Sequence, residues 1–210
     1  MAGLFIAFEG ADGCGKSTQL RFMAEFLREQ GVDVVSTREP GGCPVSERIR
    51  DIVLDRDIED MSAQTEALLY AAARAQHVYE IIKPAVDAGR VVLCDRFMYS
   101  SLAYQGYGRQ LGVDEVRAIN EFAIMGYMPD ITVFMNFSPE RAFGRMNELK
   151  EYDRIEKEDM SFHERVFEGF QKLAKSPDIL AIDANGTKFE THEVIKRALM
   201  PTFKQAGILD

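Results

Sequence analysis

Short apolar runs alternate along the chain with longer stretches in which apolar residues recur every three or four positions. The short runs are rich in Val, Ile, Leu and Phe, as β-strands are, and the longer stretches have the period of α-helices. This alternation is typical of a parallel sheet with helices on both faces, because each crossover between parallel strands needs a helix. The pattern predicts five strands, at residues 4–9, 33–37, 90–95, 130–136 and 178–183.

Three stretches between these strands carry further information. Residues 17–30 have helical spacing and stop at Gly31, as helices ending in glycine do. Residues 63–88 predict a longer helix that contains Pro84, which either kinks it or separates two helices. Residues 147–159 are charged with little apolar periodicity, so we expect a mobile surface segment there, with a lid at about residues 141–157.

Composition and charge limit the possible functions. A chain of 210 residues with 46% hydrophobic residues predicts one compact domain over residues 1–210. The formal net charge of −9 and the acidic pI argue against nucleic acid or an anionic membrane as the main partner. Any phosphate group must therefore be bound by local positive charge.

The cysteines and the N-terminus bear on localisation. The three cysteines lack metal-ligand or C-x-x-C spacing, which favours free thiols in a reducing compartment, the cytoplasm. The first apolar run has no basic residues before it and ends at Glu9, so we expect a strand rather than a signal peptide. No stretch reaches the roughly 20 apolar residues that a membrane span needs.

A phosphate-binding motif follows the first predicted strand and opens a helix. It fits G-x-x-x-x-G-K-[ST] and reads Gly10-Ala11-Asp12-Gly13-Cys14-Gly15-Lys16-Ser17-Thr18. Glycines let backbone N–H groups wrap a polyphosphate, and the helix start adds the positive end of its dipole. We expect Lys16 to reach the β- and γ-phosphates and the Ser17 hydroxyl to bind Mg²⁺. The alternative interpretation is a plain strand-to-helix turn.

The motif alone leaves kinases, GTPase switches and ATPase motors open. The base-reading N-K-x-D motif of regulatory GTPases is absent from the sequence. Asp95 ends the third predicted strand, where its carboxylate is expected to lie beside the phosphate loop and hold a Mg²⁺-bound water. Its alternative role is that of an ordinary turn residue.

Arginines follow the second and third predicted strands. Arg38 and Arg96 both come at the carboxyl ends of strands, the edge at which open parallel sheets bind ligands. We therefore predict that they converge on a second phosphate opposite the loop, which implies transfer between two phosphate sites. The alternative is that both form surface salt bridges.

At these residues the sequence resembles the thymidylate kinase family, whose members phosphorylate thymidine monophosphate. The resemblance covers nearly the whole chain, and its blocks are residues 8–18, 37–42 with 47–50, 68–77, 95–106 and 153–156. It implies a three-layer αβα P-loop NTPase fold with a five-stranded parallel sheet in the order 2-3-1-4-5. ATP and Mg²⁺ are the implied cofactors, and a homodimer is the implied assembly.

The resemblance also implies residue roles. Arg38, Arg50 and Arg96 would hold the acceptor phosphate, with Arg96 also neutralising charge on the transferred group, and Asp12 would contact the acceptor sugar and the metal site. Tyr70 would stack on thymine and Arg74 would donate to a thymine carbonyl. The remaining substrate pocket would be formed by Pro40, Ser101, Gln105 and Tyr104, the last excluding a ribose 2′-hydroxyl. The loop at Asn185 would pack on adenine.

The chain departs from the family pattern at three places. Tyr70 stands where the family has Phe, which keeps the stacking ring and adds a hydroxyl. The lid has few cations, so we expect Arg145, helped by Arg154 or Lys150, to cover the γ-phosphate. Cys14 occupies a position in the loop that is usually small and inert, and we expect it to be an alkylatable thiol that bound ATP protects.

Three alternatives to a thymidylate kinase stay open at this point. The acceptor could be another monophosphate, such as uridylate or a modified pyrimidine nucleotide. The chain could instead be a silent regulator whose phosphate loop only senses ATP, although the second set of arginines disfavours this. A nucleic-acid translocase is disfavoured by size and acidity.

Overall fold

The structure is a computed structural model that describes residues 3–137 and 152–209. Its strands form one parallel sheet in the order β2-β3-β1-β4-β5, so the expected strand order is confirmed. Each predicted strand agrees with an observed one to within one residue at either end. The strands are β1 (Leu4–Glu9), β2 (Val34–Arg38), β3 (Val91–Asp95), β4 (Ile131–Asn136) and β5 (Ile179–Asp183).

Helices connect the strands. Those before β4 are α1 (Lys16–Glu29), α2 (Pro44–Leu54), α3 (Ala63–His77), α4 (Lys83–Asp87), α5 (Met98–Ser101) and α6 (Val113–Ile124). After β4 the described chain continues with α7 (Met160–Leu173) and α8 (Lys188–Gln205). Two π-helical segments, Val78–Ile82 and Leu102–Gly108, continue α3 and α5.

The core has two parts, one on each face of the sheet. Phe5 and Ala7 of β1 belong to one apolar cluster and Ile6 and Phe8 to the other, because successive side chains of a strand point to opposite faces. All four are at most 1% exposed. The first cluster includes residues of the long π-segment and α7, and the second includes residues of α1 and α8. This arrangement is the predicted three-layer architecture.

Pro84 does not separate two helices. Helical hydrogen bonding runs from α3 to α4 through the first π-segment, in which Lys83 N donates to Val78 O five residues earlier. Proline has no N–H to donate, and its ring would crowd the carbonyl of residue 80 in a regular α-helix. A wider π-turn directly before Pro84 accommodates the ring, so the predicted alternative of two separate helices is wrong.

The described part of the charged segment packs against the domain. Ile155 is 5% exposed and belongs to the first core cluster. Arg154 donates from its backbone N to Leu54 O and from Nε to Val53 O, which fixes this part of the chain against the end of α2. The expectation of a surface segment is therefore wrong for residues 152–156, none of which is exposed. Most of the expected lid lies outside the described residues, so the lid stays a prediction.

None of the helices described within residues 3–137 and 152–209 is both long and apolar enough to cross a membrane.

The long π-segment and α7 approach each other at glycines. A Cβ built on Gly108 would lie 2.7 Å from Phe162 Cε2, and one built on Gly169 would lie 2.6 Å from Tyr107 Cδ2 and 2.9 Å from Tyr107 Cβ. Real side chains do not approach so closely, so the contact requires glycine on both sides. The segment held in this way carries Tyr104 and Gln105, two predicted site residues.

We predict that Gly169→Ala destabilises the protein by about 1–3 kcal/mol, because the new methyl group meets the base of the Tyr107 ring and overpacks the contact. The overpacking outweighs the roughly 1 kcal/mol that alanine gains over glycine in a helix. Urea unfolding measures the change. Glu168→Ala, on the exposed side of the same helix, should change stability by at most about 0.5 kcal/mol. A Gly169→Ala protein as stable as wild type would contradict the close packing.

Candidate active site

The predicted phosphate loop joins β1 to α1. Gly10 and Gly15 have φ of 143° and 98°, conformations that side chains rarely adopt. A Cβ on Gly10 would also lie 2.8 Å from Met135 O. Lys16, the first residue of α1, folds back so that its Nζ donates to Gly10 O at 3.0 Å and Ala11 O at 2.8 Å. The loop therefore has the backbone conformation and the central cation that a polyphosphate requires.

Two oxygen donors lie beside the loop. Ser17 Oγ donates to Asp95 Oδ2 at 2.5 Å, and Asp95 is brought there because β3 pairs with β1 in register, Phe8 opposite Asp95. A hydroxyl and a carboxylate are ligands that Mg²⁺ accepts, and the rest of its shell commonly comes from water and phosphate. Within the described ranges no cluster of three or more His, Cys, Asp or Glu side chains suits a metal. Ser17 and Asp95 are thus the pair that fits the predicted ion.

Arg96 lies between the loop and the second site. Its φ of 68° is left-handed, a conformation that turns the chain sharply at the end of β3. Its guanidinium donates to Gly10 O and Ser100 Oγ, each at 3.0 Å, forms an ion pair with Asp12 and lies over the Tyr104 ring. Tyr104 OH in turn donates to Asp12 Oδ2 at 2.6 Å. The structure therefore brings three predicted residues, Arg96, Asp12 and Tyr104, into one bonded group.

The charges in this group are locked. Burial alone would raise the pKa of Asp12, but Arg96 and Lys16 outweigh it and hold the pKa well below its ordinary value. Burial opposes the charge on Arg96 as well, and Asp12 raises the pKa of Arg96. Asp12 and Arg96 are therefore both ionised at neutral pH.

Glu9 supports the turn that carries Arg96, and the sequence did not single it out. Its carboxylate is 1% exposed and accepts from the backbone N–H groups of Phe97 and Ser100, each at 2.9 Å, and from the Ser100 hydroxyl. Burial raises the pKa of Glu9. An acid that directly ends a buried apolar strand is the signal that could have identified it.

Arg38 and Arg50 form the second cationic site. Arg38 Nη1 and Arg50 Nη1 donate to the same carbonyl, Pro40 O, at 3.1 and 2.9 Å. Arg38 also pairs with Glu47, whose other oxygen accepts from Gly42 N. Burial and the nearby Arg38 lower the pKa of Arg50. Two guanidiniums that share one neutral oxygen and one carboxylate still leave net positive charge available to an anion.

A single cavity joins the loop to these arginines. Its walls include Lys16 and Ser17 of the loop together with the three arginines Arg38, Arg50 and Arg96. A second cavity shares Asp12, Glu39, Arg50 and Arg96 with the first. It is lined further by the predicted base-binding residues Pro40, Tyr70, Arg74, Ser101, Tyr104 and Gln105. The two predicted phosphate sites and the predicted base site are therefore contiguous.

Arg74 is held rigidly in the wall of the second cavity. It is 2% exposed and donates from Nε to Glu39 Oε2, from Nη1 to Ser101 Oγ and Asn120 Oδ1, and from Nη2 to Phe97 O. Glu39 Oε1 also accepts from His77 Nδ1 at 2.9 Å. Sequence reasoning missed Glu39 and Asn120. Glu39 stood in the block of the resemblance at residues 37–42 without an assigned role, Asn120 lies in none of the blocks, and only the three-dimensional fold brings them to Arg74.

Other residues of this cavity follow from burial. Tyr70 is half-buried, and burial followed by the nearby Glu66 and Asp153 raises the pKa of its hydroxyl, which therefore stays protonated. Asp153 and Glu156 line the same cavity, and burial raises the pKa of both carboxyls. These two acids stood in a block of the resemblance without an assigned role.

The expectations for the cations near the lid and for Cys14 have different outcomes. Arg145 and Lys150 lie outside the described residues. Arg154 does not face the phosphate cavity, because its guanidinium binds Glu66 and Val53 O, so its expected help at the γ-phosphate is wrong for this structure. Cys14 is 2% exposed and packed in the core, which disfavours the expected alkylation because a reagent cannot reach the thiol.

The Asn185 loop lies at the end of β5. Asn185 is exposed, and its backbone N and its Nδ2 both donate to Asp183 Oδ1. Thr187 and Glu190 then form a reciprocal capping box that begins α8. Gln19 Nε2 donates to Lys188 O and so joins this region to α1. The loop is thus fixed next to the helix that follows the phosphate loop, and its contact with adenine stays a prediction.

Comparison with known proteins gives the family. The family model described as "Thymidylate kinase" matches residues 8–195. The chain belongs to the thymidylate kinase family. Thymidylate kinase from Geobacillus thermodenitrificans is 53% identical over 88% of this chain and 84% of its own length, and that from Bacillus pumilus is 46% identical over 99% and 100%. The crystal structure of thymidylate kinase from Ehrlichia chaffeensis superposes with a TM-score of 0.78 at 32% identity, covering 95% of this chain and all of that one.

Membership of the thymidylate kinase family confirms the resemblance read from the sequence. It also decides among the classes that the phosphate loop left open, because the relatives are kinases and neither GTPase switches nor ATPase motors. The match to the family does not by itself assign roles to individual residues.

We predict that Asp12→Asn lowers the free energy of unfolding at pH 7 by about 1–3 kcal/mol, because it leaves Arg96 without its partly buried anionic partner. The folded-state pKa of Asp12 is below its unfolded value, so its stabilisation is fully present above about pH 4 and is lost as the pH falls further. Urea unfolding at pH 7 and pH 3 should therefore show a smaller difference between variant and wild type at pH 3. An equal difference at both pH values would contradict the proposed ion pair.

Proposed function

We propose that this chain transfers the γ-phosphoryl group of ATP to thymidine 5′-monophosphate, giving dTDP and ADP for dTTP synthesis. The observation that carries the proposal is the single cavity that is lined both by Lys16 and by the three arginines Arg38, Arg50 and Arg96. A donor triphosphate on the loop and an acceptor monophosphate on the arginines would meet there directly. The names of the relatives add the thymidylate acceptor.

The loop is the donor side. Its N–H groups and the start of α1 would bind the phosphates of ATP, with Lys16 exchanging its present carbonyl partners for phosphate oxygens. Ser17 and Asp95 would hold Mg²⁺, directly or through water, and the ion when bound supplies positive charge at the β- and γ-phosphates. Asn185 would lie along the adenine, and Arg145, which is outside the described residues, stays predicted to cover the γ-phosphate.

The second cavity is the acceptor side. Arg38 and Arg50 would bind the monophosphate, and Tyr70 would stack on the base. Arg74 donates four hydrogen bonds to the protein, so its guanidinium is oriented before any base arrives. The Tyr104 ring, tied to Asp12, would occupy the space that a ribose 2′-hydroxyl needs. Ser101, Pro40 and Gln105 would complete the pocket.

The reaction needs no covalent intermediate. An oxygen of the acceptor phosphate attacks the γ-phosphorus while the bond to the oxygen of the leaving ADP breaks, and negative charge spreads over the transferred group. Arg96 is bonded to the loop carbonyl Gly10 O and lies between the two phosphate sites, so it would stabilise this charge. Asp12 and Glu9 act as positioning residues that hold Arg96 there.

We also propose a homodimer. Apolar side chains are exposed on α2, α3 and α6, which pack side by side: Val45, Ile52, Leu68, Phe122 and Met125 are 45–88% exposed. Exposed apolar side chains on neighbouring helices of a chain with net charge −9 favour association with a second copy. The cytoplasm remains the proposed location, because Cys14, Cys43 and Cys94 are all free thiols.

An acceptor panel tests the activity. With ATP as donor, we expect ADP formation with dTMP at roughly 1–100 per second, slower turnover with dUMP, and a kcat/KM for UMP at least about 100-fold lower because its 2′-hydroxyl meets Tyr104. A coupled ADP assay measures all three. Faster turnover of UMP than of dTMP would identify a uridylate kinase instead. ATP binding without transfer to any acceptor would indicate the silent regulator.

The dimer is tested at the most exposed of the apolar residues. Phe122→Glu places a charge on the proposed interface, so we expect the protein to become monomeric at micromolar concentration in analytical ultracentrifugation. Phe189→Glu introduces the same charge at another exposed phenylalanine, on α8. It is the matched control and should leave the assembly unchanged. A wild-type protein that sediments as a monomer would contradict the proposal.

A further inference from the structure

Glu66 is a buried carboxylate behind the wall of the base cavity. It lies on α3, is fully buried, and accepts hydrogen bonds from three side chains on other parts of the chain. Gln105 Nε2 donates to its Oε1 at 2.9 Å, Arg109 binds both oxygens, and Arg154 Nη2 donates to its Oε2 at 2.7 Å. The reaction as proposed above makes no use of this carboxylate.

The bond to Gln105 has a consequence for the base site. A carboxylate has only acceptors, so the amide of Gln105 must turn its NH₂ group toward Glu66. The amide oxygen then points elsewhere, and no described residue donates a hydrogen bond to it. Gln105 lines the base cavity, and with Nε2 engaged by Glu66 its amide oxygen is the side-chain polar atom left to accept a hydrogen bond there. Arg74 lines the same cavity as a donor.

A donor beside an acceptor matches one kind of pyrimidine edge. Thymine and uracil present a carbonyl at C4 and an N–H at N3, which pair with a donor and an acceptor respectively. Cytosine presents a donor at C4, its amino group, and an acceptor at N3, which carries no hydrogen. Both roles are therefore reversed. We propose that Glu66 is a specificity-determining positioning residue, which selects bases with a 4-oxo group and an N3–H by fixing the direction of the Gln105 amide. The inference rests on the proposed function, because it assigns the base edge of the same acceptor.

The arginines make this arrangement rigid. Arg109 and Arg154 compensate the carboxylate, and Arg109 also pairs with Glu158. The carboxylate therefore cannot turn away from Gln105 without breaking buried charge pairs. Arg154 lies between Asp153 and Ile155, which both line the cavity. By binding Arg154, the Glu66 carboxylate also holds that wall of the cavity in place.

Two acceptors that differ only at this edge test the role. The ratio of kcat/KM for dTMP to that for 5-methyl-deoxycytidine monophosphate isolates O4 and N3–H from every other contact. In Glu66→Gln the introduced amide has both a donor and an acceptor, so the Gln105 amide is free to turn over. We expect the ratio to fall at least about tenfold, while the KM for ATP stays within about twofold.

A double-variant cycle shows whether Glu66 acts through Gln105. Gln105→Leu removes the acceptor and should lower the same ratio. In the double variant the ratio should fall no further than in Gln105→Leu alone, because both changes abolish one contact. Independent, additive effects would overturn the proposal. Glu193→Gln, an exposed acid on α8, is the charge control and should leave the ratio unchanged.

Folding is checked by circular dichroism on each variant. Should Glu66→Gln fail to fold because two arginines lose their partner, Glu66→Asp keeps the charge but withdraws it by one methylene from Gln105. A lowered ratio in that variant supports the proposal, and an unchanged ratio overturns it. A wild type that uses neither acceptor overturns both this inference and the proposed function. A wild type that uses dTMP, together with a Glu66→Gln variant that loses activity equally with both acceptors, overturns this inference alone.

Discussion

The candidate active site depends on holding several positively charged side chains around one cavity, in a protein whose net charge is −9. Four positively charged side chains line the same space: Lys16, Arg38, Arg50 and Arg96. Their mutual repulsion disfavours this arrangement. Local oxygens hold each of them in place, among them the carbonyls of the phosphate loop, the Pro40 carbonyl and carboxylates. Two anionic nucleotides would complete the neutralisation, so the site is built to bind both.

The fold makes this possible because parallel strands bring their carboxyl ends to one edge. The loop follows β1, Arg38 ends β2 and Arg96 follows β3, and these three strands are neighbours in the sheet. The long π-segment then presents Tyr104 and Gln105 to the same place, and its close contact with α7 through glycines keeps it there. The placement of the site residues therefore depends on a few backbone positions, namely the ends of three strands and the glycines of this contact.

The sequence predicted much of this because its signals are local. Strands, the phosphate loop and the arginines at strand ends each follow from neighbouring residues, and the family resemblance supplied Tyr70 and Arg74. Glu9 was marked by its place at the end of a buried apolar strand, but the roles of Glu39 and Glu66 could not be found in this way. A buried carboxylate on a helix or after a strand looks, in a sequence, like any solvated charge. Its role is set by partners dozens of residues away, such as Gln105 for Glu66.

The stereochemistry of transfer tests the central claim most directly. If both phosphates meet in one cavity, the γ-phosphoryl group passes to the acceptor in a single in-line step. ATP made chiral at the γ-phosphorus with three oxygen isotopes should therefore give product with inverted configuration at that phosphorus. Retention would require two successive transfers through a phosphorylated side chain, and it would contradict the account.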